Sequence, residues 1–376
     1  MNADRVADIA VVGAGIAGLA HAYMALKKGY RVVLFEREQF AVGASVRNFG
    51  LVWPIGQEPG VGLELALRSR EHWLEVSKEA GFWLKANGSM HVVYNDDEVA
   101  VLQEFMELYK DAAFQCTLLN PKQVVEKSPV VKTENLKAGL WSATEGTVYS
   151  REAIRRIPEW LVEKYGLIVK YGHAVVEVSL PHILTARETW QVDKVFICSG
   201  ADFETLYPEV YDQQPISKCK LQMMKAVPDR PVQIGPSLCA GLTLRHYSAF
   251  AKCKSLKQVD LRYDTESMAY KQHGIHVLLA QNHAGELIIG DSHHYSRTVE
   301  PFDREDVNEI ILDYLNSFAN LGNLTITERW HGVYPKLQGN ISLVLEPEPG
   351  VTIINGLGGA GMTLSFGLAE RVISSL

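Results

Sequence analysis

The chain has 376 residues, 47% hydrophobic and 22% charged, with 37 Lys and Arg against 44 Asp and Glu and a net charge of −7. Such a chain can bury a sizeable core in two domains, or in one large domain with a lobed partner. The acidic balance, with no basic run, argues against nucleic acid or an anionic membrane as the main partner, while a few local arginines can still hold a small anion in a cleft.

Met1–Asp8 is short and polar, and the apolar run after it lacks the basic leader and cleavage site of a signal peptide. No apolar run approaches the roughly 20 residues that span a bilayer. The five cysteines (Cys116, Cys198, Cys219, Cys239, Cys253) contain no CxxC pair, which suits reduced thiols rather than a disulfide framework or a zinc site. A soluble, cytoplasmic protein is expected.

Along the chain, Asp8–Val12 predicts a buried parallel strand ending at Gly13. Ile16 to Lys28 places Ile16, Leu19, Ala20, Tyr23 and Met24 at helical spacing, with Gly29 as its stop. Arg31–Phe35 is a second strand, closed by Glu36. Gly43 to Gly60 holds four glycines and two prolines, an ordered loop. Helices are predicted at Leu63–Ala80, Glu98–Asp111 and Arg151–Lys164, and strands at Leu167–Val178 and Val192–Cys198. From about Pro215 to Leu345 the pattern is strand-rich, with runs at Gly241–Phe250, Ile275–Gln281 and Glu286–Gly290 and one interrupting helix at Arg304–Asn320. Strand Val351–Ile354, a glycine cluster and a helix to Leu376 close the chain. There is no internal repeat.

Gly13, Gly15 and Gly18 form GxGxxG directly after a strand and at the start of a helix. The glycines allow a tight turn, close approach of a pyrophosphate and close helix–strand packing. The helix start, with Ile16 and Ala17, offers free N–H groups and a positive dipole end to phosphate. Glu36 lies eighteen residues after Gly18, where a carboxylate can accept ribose hydroxyls and would repel a 2′-phosphate. A dinucleotide is therefore expected, and NADP is disfavoured.

A second helix start, Gly356-Leu357-Gly358-Gly359-Ala360-Gly361-Met362-Thr363, separates FAD from NAD. A nicotinamide enzyme has no need of it, whereas a flavin accepting a hydride gathers negative charge at N1 and the C2 carbonyl, which a helix N-terminus stabilises.

With these motifs the chain resembles the D-amino-acid oxidase superfamily, which contains glycine and sarcosine oxidases, over nearly its whole length. The resemblance implies that Ser45-Val46-Arg47-Asn48-Phe49-Gly50 is the loop beside pyrophosphate and flavin, with Arg37 beside Glu36. It implies that Val175, in Gly172-His173-Ala174-Val175, contacts adenine through its backbone. Ser199-Gly200, in Cys198-Ser199-Gly200-Ala201, is similar to the family's ATG-like turn, and Gly358, Gly359, Ala360, Gly361, Met362 and Thr363 to its flavin-carbonyl loop. Trp330–Pro335 resembles a WxGxRP segment with Tyr334 in place of arginine. The flavin is expected to be non-covalent, because the cysteine that carries it in sarcosine oxidases falls within Gly332-Val333-Tyr334-Pro335. The family lysine after the last glycine cluster is Thr363, and Ala360 sits near a substrate-binding arginine of glycine oxidase, so the usual carboxylate clamp is absent or moved. The stretches SVRNFGLVWPIGQ, GLTLRHYSAF, IGDSHHY and GGAGMTLSFGLAE are similar to a subgroup associated with phosphonate catabolism.

Substrate-binding candidates are Arg47, Trp53, Arg245, His276 and Tyr334, with Lys336 and Arg329 as further anion binders. Arg245 suits an anion through its paired donors or, equally, a solvated strand face. His276 either faces a cavity or is a satisfied core histidine. The adjacent His293 and His294 point to opposite sides of an extended chain and cannot easily share a metal ion, so no metal is expected. Trp73, Trp83, Met223 and Met224 suit packing.

The expected fold is α/β: a Rossmann-like FAD-binding domain of glutathione-reductase type (1–75, 145–210, 330–376) interleaved with an α+β antiparallel-sheet substrate domain (76–144, 211–329). The expected reaction is hydride transfer from the C–N unit of a small anionic amine, an amino acid or an aminophosphonate such as N-methyl-2-aminoethylphosphonate, to flavin N5. The imine is then hydrolysed, and O2, reduced to H2O2, or another acceptor takes the electrons. The alternatives are a 2-hydroxy-acid or polyol-phosphate dehydrogenase on the same fold, and a non-catalytic FAD-binding partner. Neither nucleic acid nor membrane is an expected partner, and self-association into a homo-oligomer is left open.

Overall fold

The computed structural model describes residues 5–376; residues 1–4 of the polar start Met1–Asp8, and of the expected segment 1–75, lie outside the described residues. Two sheets organise the chain. The first has six strands in the order Leu343–Glu348, Val351–Asn355, Lys194–Ile197, Ile9–Val12, Val32–Glu36, Ile168–Tyr171, parallel throughout except for the first pair. Ile9 pairs with both Val32 and Lys194 in register. Ile9, Val11, Val33 and Leu34 are fully buried because both faces are covered, which is why these strands read as continuous apolar runs.

Helices Ile16–Lys27, Val61–Ala80, Ser150–Tyr165 and Gly361–Ser374 pack on one face. On the other lies a three-stranded sheet, Val175–Ser179, His182–Thr185 and Thr189–Gln191, whose Trp190 meets Phe35 edge-on at 5.9 Å. The last helix crosses Val61–Ala80 so closely that a Cβ on Gly367 would overlap the Leu65 carbonyl. Two bonds fix that crossing: Gly367 N–H to Ser69 Oγ (2.7 Å) and Trp73 Nε1–H to Met362 O (2.7 Å).

The second sheet is mixed and has nine strands: His294–Ser296, Ile216–Pro228, Leu287–Gly290, Leu278–Gln281, Ser237–Cys239, Ser89–Val93, Ala138–Ser142 and Cys116–Leu119, with Leu324–Leu337 paired to Ile216–Pro228. That long antiparallel pair runs from Ile216↔Leu337 to Pro228↔Leu324, with a bulge at Lys225/Ala226. Helix Asp96–Leu108, opened by an Asn95–Glu98 capping box, and helix Glu305–Phe318 pack in its core.

Several sequence expectations are corrected. Gly241–Phe250 is not a strand but two 3₁₀ turns, Gly241–Arg245 and Ser248–Phe250. Leu242, Thr243 and Leu244 are all buried, so apparent alternation does not mark a face there, and Leu242 N–H is taken by Tyr314 Oη (2.9 Å). The run Leu167–Val178 is broken at Gly172 (φ 67°), giving one strand to each of two sheets. Beside Glu305–Phe318 the strand-rich region also contains helices Leu256–Glu266 and Met268–Gln272.

Candidate active site

Where the two sheets meet, one cleft of about 1170 Å³ runs from the first helix start to the second sheet. Along one side it is lined by Ile16, Ser45, Arg47, Asn48 and Gly356 to Leu364; along the other by Leu221, Met223, Tyr247, Leu278, Tyr295 and Tyr334. The volume exceeds the roughly 300–1,000 Å³ of ordinary small-ligand sites, as a dinucleotide with a substrate requires.

The glycine turn has the shape a pyrophosphate needs. Gly13 has φ 102°, and a Cβ on Gly18 would overlap the Gly13 carbonyl, so the helix start lies hard against the strand end. Ile16 N–H donates to Ser45 Oγ (2.9 Å), joining the helix start to the loop over it. Glu36 Oε2 accepts from Ala14 N–H (2.9 Å), which places a carboxylate at the rim of the turn. His173 N–H donates to Glu36 O (2.9 Å), bringing the Gly172–Val175 bend to the same corner. Gly15 faces Ser45, and Ala17 lies in the helix's first turn.

Other cofactor candidates stand further out. Arg37 is ion-paired with Asp202. Ser199 Oγ donates to Asp202 O (2.8 Å), and Gly200 O accepts from Asn355 Nδ2 (3.0 Å), so this turn braces the start of the second glycine cluster. Asn48 ties its own loop, accepting from Gly50 N–H (2.7 Å) and donating to Ala44 O (2.8 Å). In the second cluster, Thr363 Oγ1 accepts from Trp53 N–H (2.9 Å) and Gly359 faces the Tyr334 hydroxyl, while Ala360, Gly361 and Met362 line the cleft.

Of the substrate candidates, Arg47, Trp53, His276 and Tyr334 line the cleft, and Arg245 does not. The Arg245 fork grips Asp260 and Asp264 (both 2.7 Å), pinning helix Leu256–Glu266. Sequence reading missed that helix and hence the carboxylates that neutralise the arginine. Arg329 is likewise paired, with Glu305 (2.7 Å). Arg47 donates to His331 O (3.3 Å), and Lys336 lies over Gly358; among the described residues neither has a carboxylate partner. These two are the free cations of the cleft. Trp73 and Met224 are core residues, Trp83 packs at a tilt against His283, and Met223 both packs and lines the cleft.

The adjacent histidines separate as expected, but His293 joins His246 and His276, their nearest ring nitrogens lying within 4.8 Å of one another. Burial pushes His246 and His276 well below the usual imidazole range and His293 down to about 4, so all three are neutral. The His246 and His276 rings stack, centroids 3.8 Å apart and 26° between planes. A metal must lie near the plane of each ring it binds, and one ion at coordination distance cannot do so for two rings stacked face to face. Asp291 lies beside this stack, buried, its carboxyl held well above the usual range by desolvation. Leu221 and Met223 share one strand face towards the cleft, a period-two signal present in the sequence; Tyr247 sits in a turn and gave no such signal.

No helix is long and apolar enough to cross a membrane among the described residues. The family model described as FAD dependent oxidoreductase matches residues 8–374. Monomeric sarcosine oxidase of Bacillus sp. (strain B-0618) is 27% identical over 201 residues, 52% of this chain and 51% of that protein. Glycerol 3-phosphate dehydrogenase of Caloramator mitchellensis is 24% identical over 201 residues, covering 51% and 42%. The chain thus spans about half the length, or less, of these curated relatives. The crystal structure of glycine oxidase from Geobacillus kaustophilus superposes with a TM-score of 0.79 at 17% identity, over 99% of this chain and 94% of that one, a likeness of fold. With a glycine turn, a second glycine-rich helix start and a cleft between them, and with that match over nearly its whole length, the chain belongs to the FAD dependent oxidoreductase family.

Proposed function

We propose that the protein oxidises the C–N bond of a small amine bearing an anionic group, an aminophosphonate such as 2-aminoethylphosphonate or its N-methyl form. The observation that carries this reading is the pair of cations in the cleft, Arg47 and Lys336, without carboxylate partners among the described residues. A phosphonate with two negative charges and three acceptor oxygens satisfies both.

In this reading the segments 1–75, 145–210 and 330–376 hold FAD without a covalent bond, and 76–144 with 211–329 bind the substrate. Gly13, Gly15, Ile16, Ala17, Gly18 and Ser45 hold the pyrophosphate, and Glu36, with Arg37 and Val175 nearby, holds the adenosine. Arg47, Asn48, Gly50, Ser199, Gly200 and Gly358 to Thr363 form or brace the flavin's seat. No cysteine lines the cleft among the described residues, which supports the absence of a thioether. Bound FAD supplies a two-electron acceptor for the hydride that leaves the carbon beside nitrogen. The chain's own share is to orient the substrate and exclude water: Arg47 and Lys336 hold the anion, while Trp53, Leu221, Met223, Leu278 and Tyr334 form a dry wall.

A second reading, oxidation of a hydroxy acid or polyol phosphate, is favoured by the neutral histidine cluster, since an alcohol needs a base for its hydroxyl proton. A panel pairing each amine with its hydroxy isostere, followed by O2 uptake and by dye reduction, separates them. Saturable turnover of aminophosphonates alone supports the first reading; turnover of the hydroxy partners alone replaces it with the second.

A further inference from the structure

We infer that Asp291 is the cation-recognising group of the cleft, where its carboxylate binds the substrate's ammonium and takes one of its protons. This inference rests on the amine reading above and deepens it by naming what distinguishes an amine from its alcohol isostere.

Asp291 is 4% exposed and lines the cleft. No Lys or Arg pairs with it among the described residues. Its Oδ1 stands 3.1 Å from His276 Nε2, off the axis of a hydrogen bond, and is an acceptor without a partner. His293 Nε2 is 3.9 Å from Oδ2, and that ring's Nδ1 is occupied by Gly274 O (2.9 Å). A buried carboxyl without a countercharge is costly to ionise, and a native fold keeps few buried polar atoms unpaired. An incoming ammonium supplies both the missing charge and the missing donor.

The cleft is also dipolar. Lys336 lies against the second glycine cluster, and Arg47 lies beside the Trp330–Gly332 stretch, whereas the acid sits at the end of Leu287–Gly290 among neutral rings. That layout fits a zwitterion whose charges are separated by a short alkyl chain. An alcohol carries the anion and offers Asp291 a neutral O–H donor, but not the countercharge.

The proton step balances in two parts: the buried acid gives up its own proton to solvent as the ammonium binds beside it, and then an N–H bond of the ammonium breaks, its electron pair stays on nitrogen, and an O–H bond forms on Asp291. The groups facing the carboxylate are His276, His293, Cys219, Tyr247, Tyr295 and Tyr334. Burial lowers both histidines and so makes them weak bases, the phenols and the thiol keep their protons near neutrality, and burial raises Asp291, so its carboxylate is the stronger proton acceptor among them.

The test uses FAD-loaded wild type, Asp291→Asn and Asp291→Glu, their loading checked by visible absorbance. Anaerobic reduction by N-methyl-2-aminoethylphosphonate across pH gives a Kd and a limiting rate, and competition gives the Kd of 2-hydroxyethylphosphonate. Loss of a charge-assisted contact predicts an amine Kd raised about 10- to 100-fold in Asp291→Asn with the hydroxy ligand nearly unchanged. It also predicts an acidic limb of the rate profile moved to the amine's own pKa, and partial rescue by Asp291→Glu. Equal weakening of both ligands would mean an architectural role, and no change in either would mean no contact; each overturns the inference. Wild type reduced only by hydroxy compounds would instead overturn the amine reading itself, before any variant is considered.

Discussion

His276 Nε2 and Asp291 Oδ1 stand 3.1 Å apart in the cleft wall, both side chains buried and Oδ1 still without a hydrogen bond. The backbone sets this approach: Asp291 N–H donates to His276 O (2.8 Å) and His276 N–H to Asp291 O (3.3 Å). The side chains are held near each other by chain pairing and not by their own attraction. Side chains positioned by backbone pairing in this way lose little freedom when a ligand arrives.

The glycine turn should be intolerant of even one methyl group. In Gly18→Ala the new Cβ meets the Gly13 carbonyl, which belongs to the backbone and cannot swing aside. FAD affinity is expected to fall about 10-fold or more, about 1.4 kcal/mol, with the fold retained. The flavin-to-protein ratio after dialysis measures it.

Lys336 should act through charge. Lys336→Met is expected to raise the KM for an aminophosphonate about 10-fold or more while leaving an amine without an anionic group little affected. Equal effects on both substrates in steady-state assays would remove Lys336 from the anion site.

The Trp73 indole ties helix Val61–Ala80 to the start of the last helix through Met362 O. Trp73→Phe removes that buried bond, leaving the carbonyl only its helical donor, and should destabilise the protein by about 0.5–1.5 kcal/mol. Urea unfolding of the FAD-loaded protein checks this, with a lower midpoint at an unchanged slope expected.

Stability should fall on acidification. Desolvation holds His21 and His293 down at about 4 and His91 at about 3, against an unfolded value near 6.5. The unfolded chain therefore binds more protons in this window, so stability is full above about 6.5 and is lost as pH falls towards 4. Each such group is worth on the order of 3 kcal/mol across that window. Buried Glu145, whose carboxyl is raised by desolvation, has the opposite sign and offsets part of the loss. Thermal melts at pH 7 and pH 5 should differ clearly, and His91→Gln should narrow the gap.

The first sheet was legible in the sequence because its signals are local: Ile9–Val12, the Gly13–Gly18 turn, helix Ile16–Lys27 and Glu36 succeed one another within one unit. Gly356–Thr363 was legible for the same reason, as glycines before a helical pattern. The far wall of the cleft was not, because distant segments assemble it. Ile216–Pro228 pairs with Leu324–Leu337 across some hundred residues, and nothing local marks that register. Arg245 shows how such a site misleads: its sequence neighbours suggest a strand and an anion binder, but Asp260 and Asp264 decide its role. The histidine stack is likewise three separate segments brought together, and the adjacent pair His293–His294 drew attention to the wrong partner.

In the function proposed above, this cleft presents the C–H beside an amine nitrogen to a bound flavin. Mixing the yellow protein anaerobically with N-methyl-2-aminoethylphosphonate and following the flavin's blue absorption band tests it most directly. Rapid, saturable bleaching is predicted, with no bleaching by 2-hydroxyethylphosphonate. A band that persists with the amine and bleaches with the hydroxy compound would contradict the account.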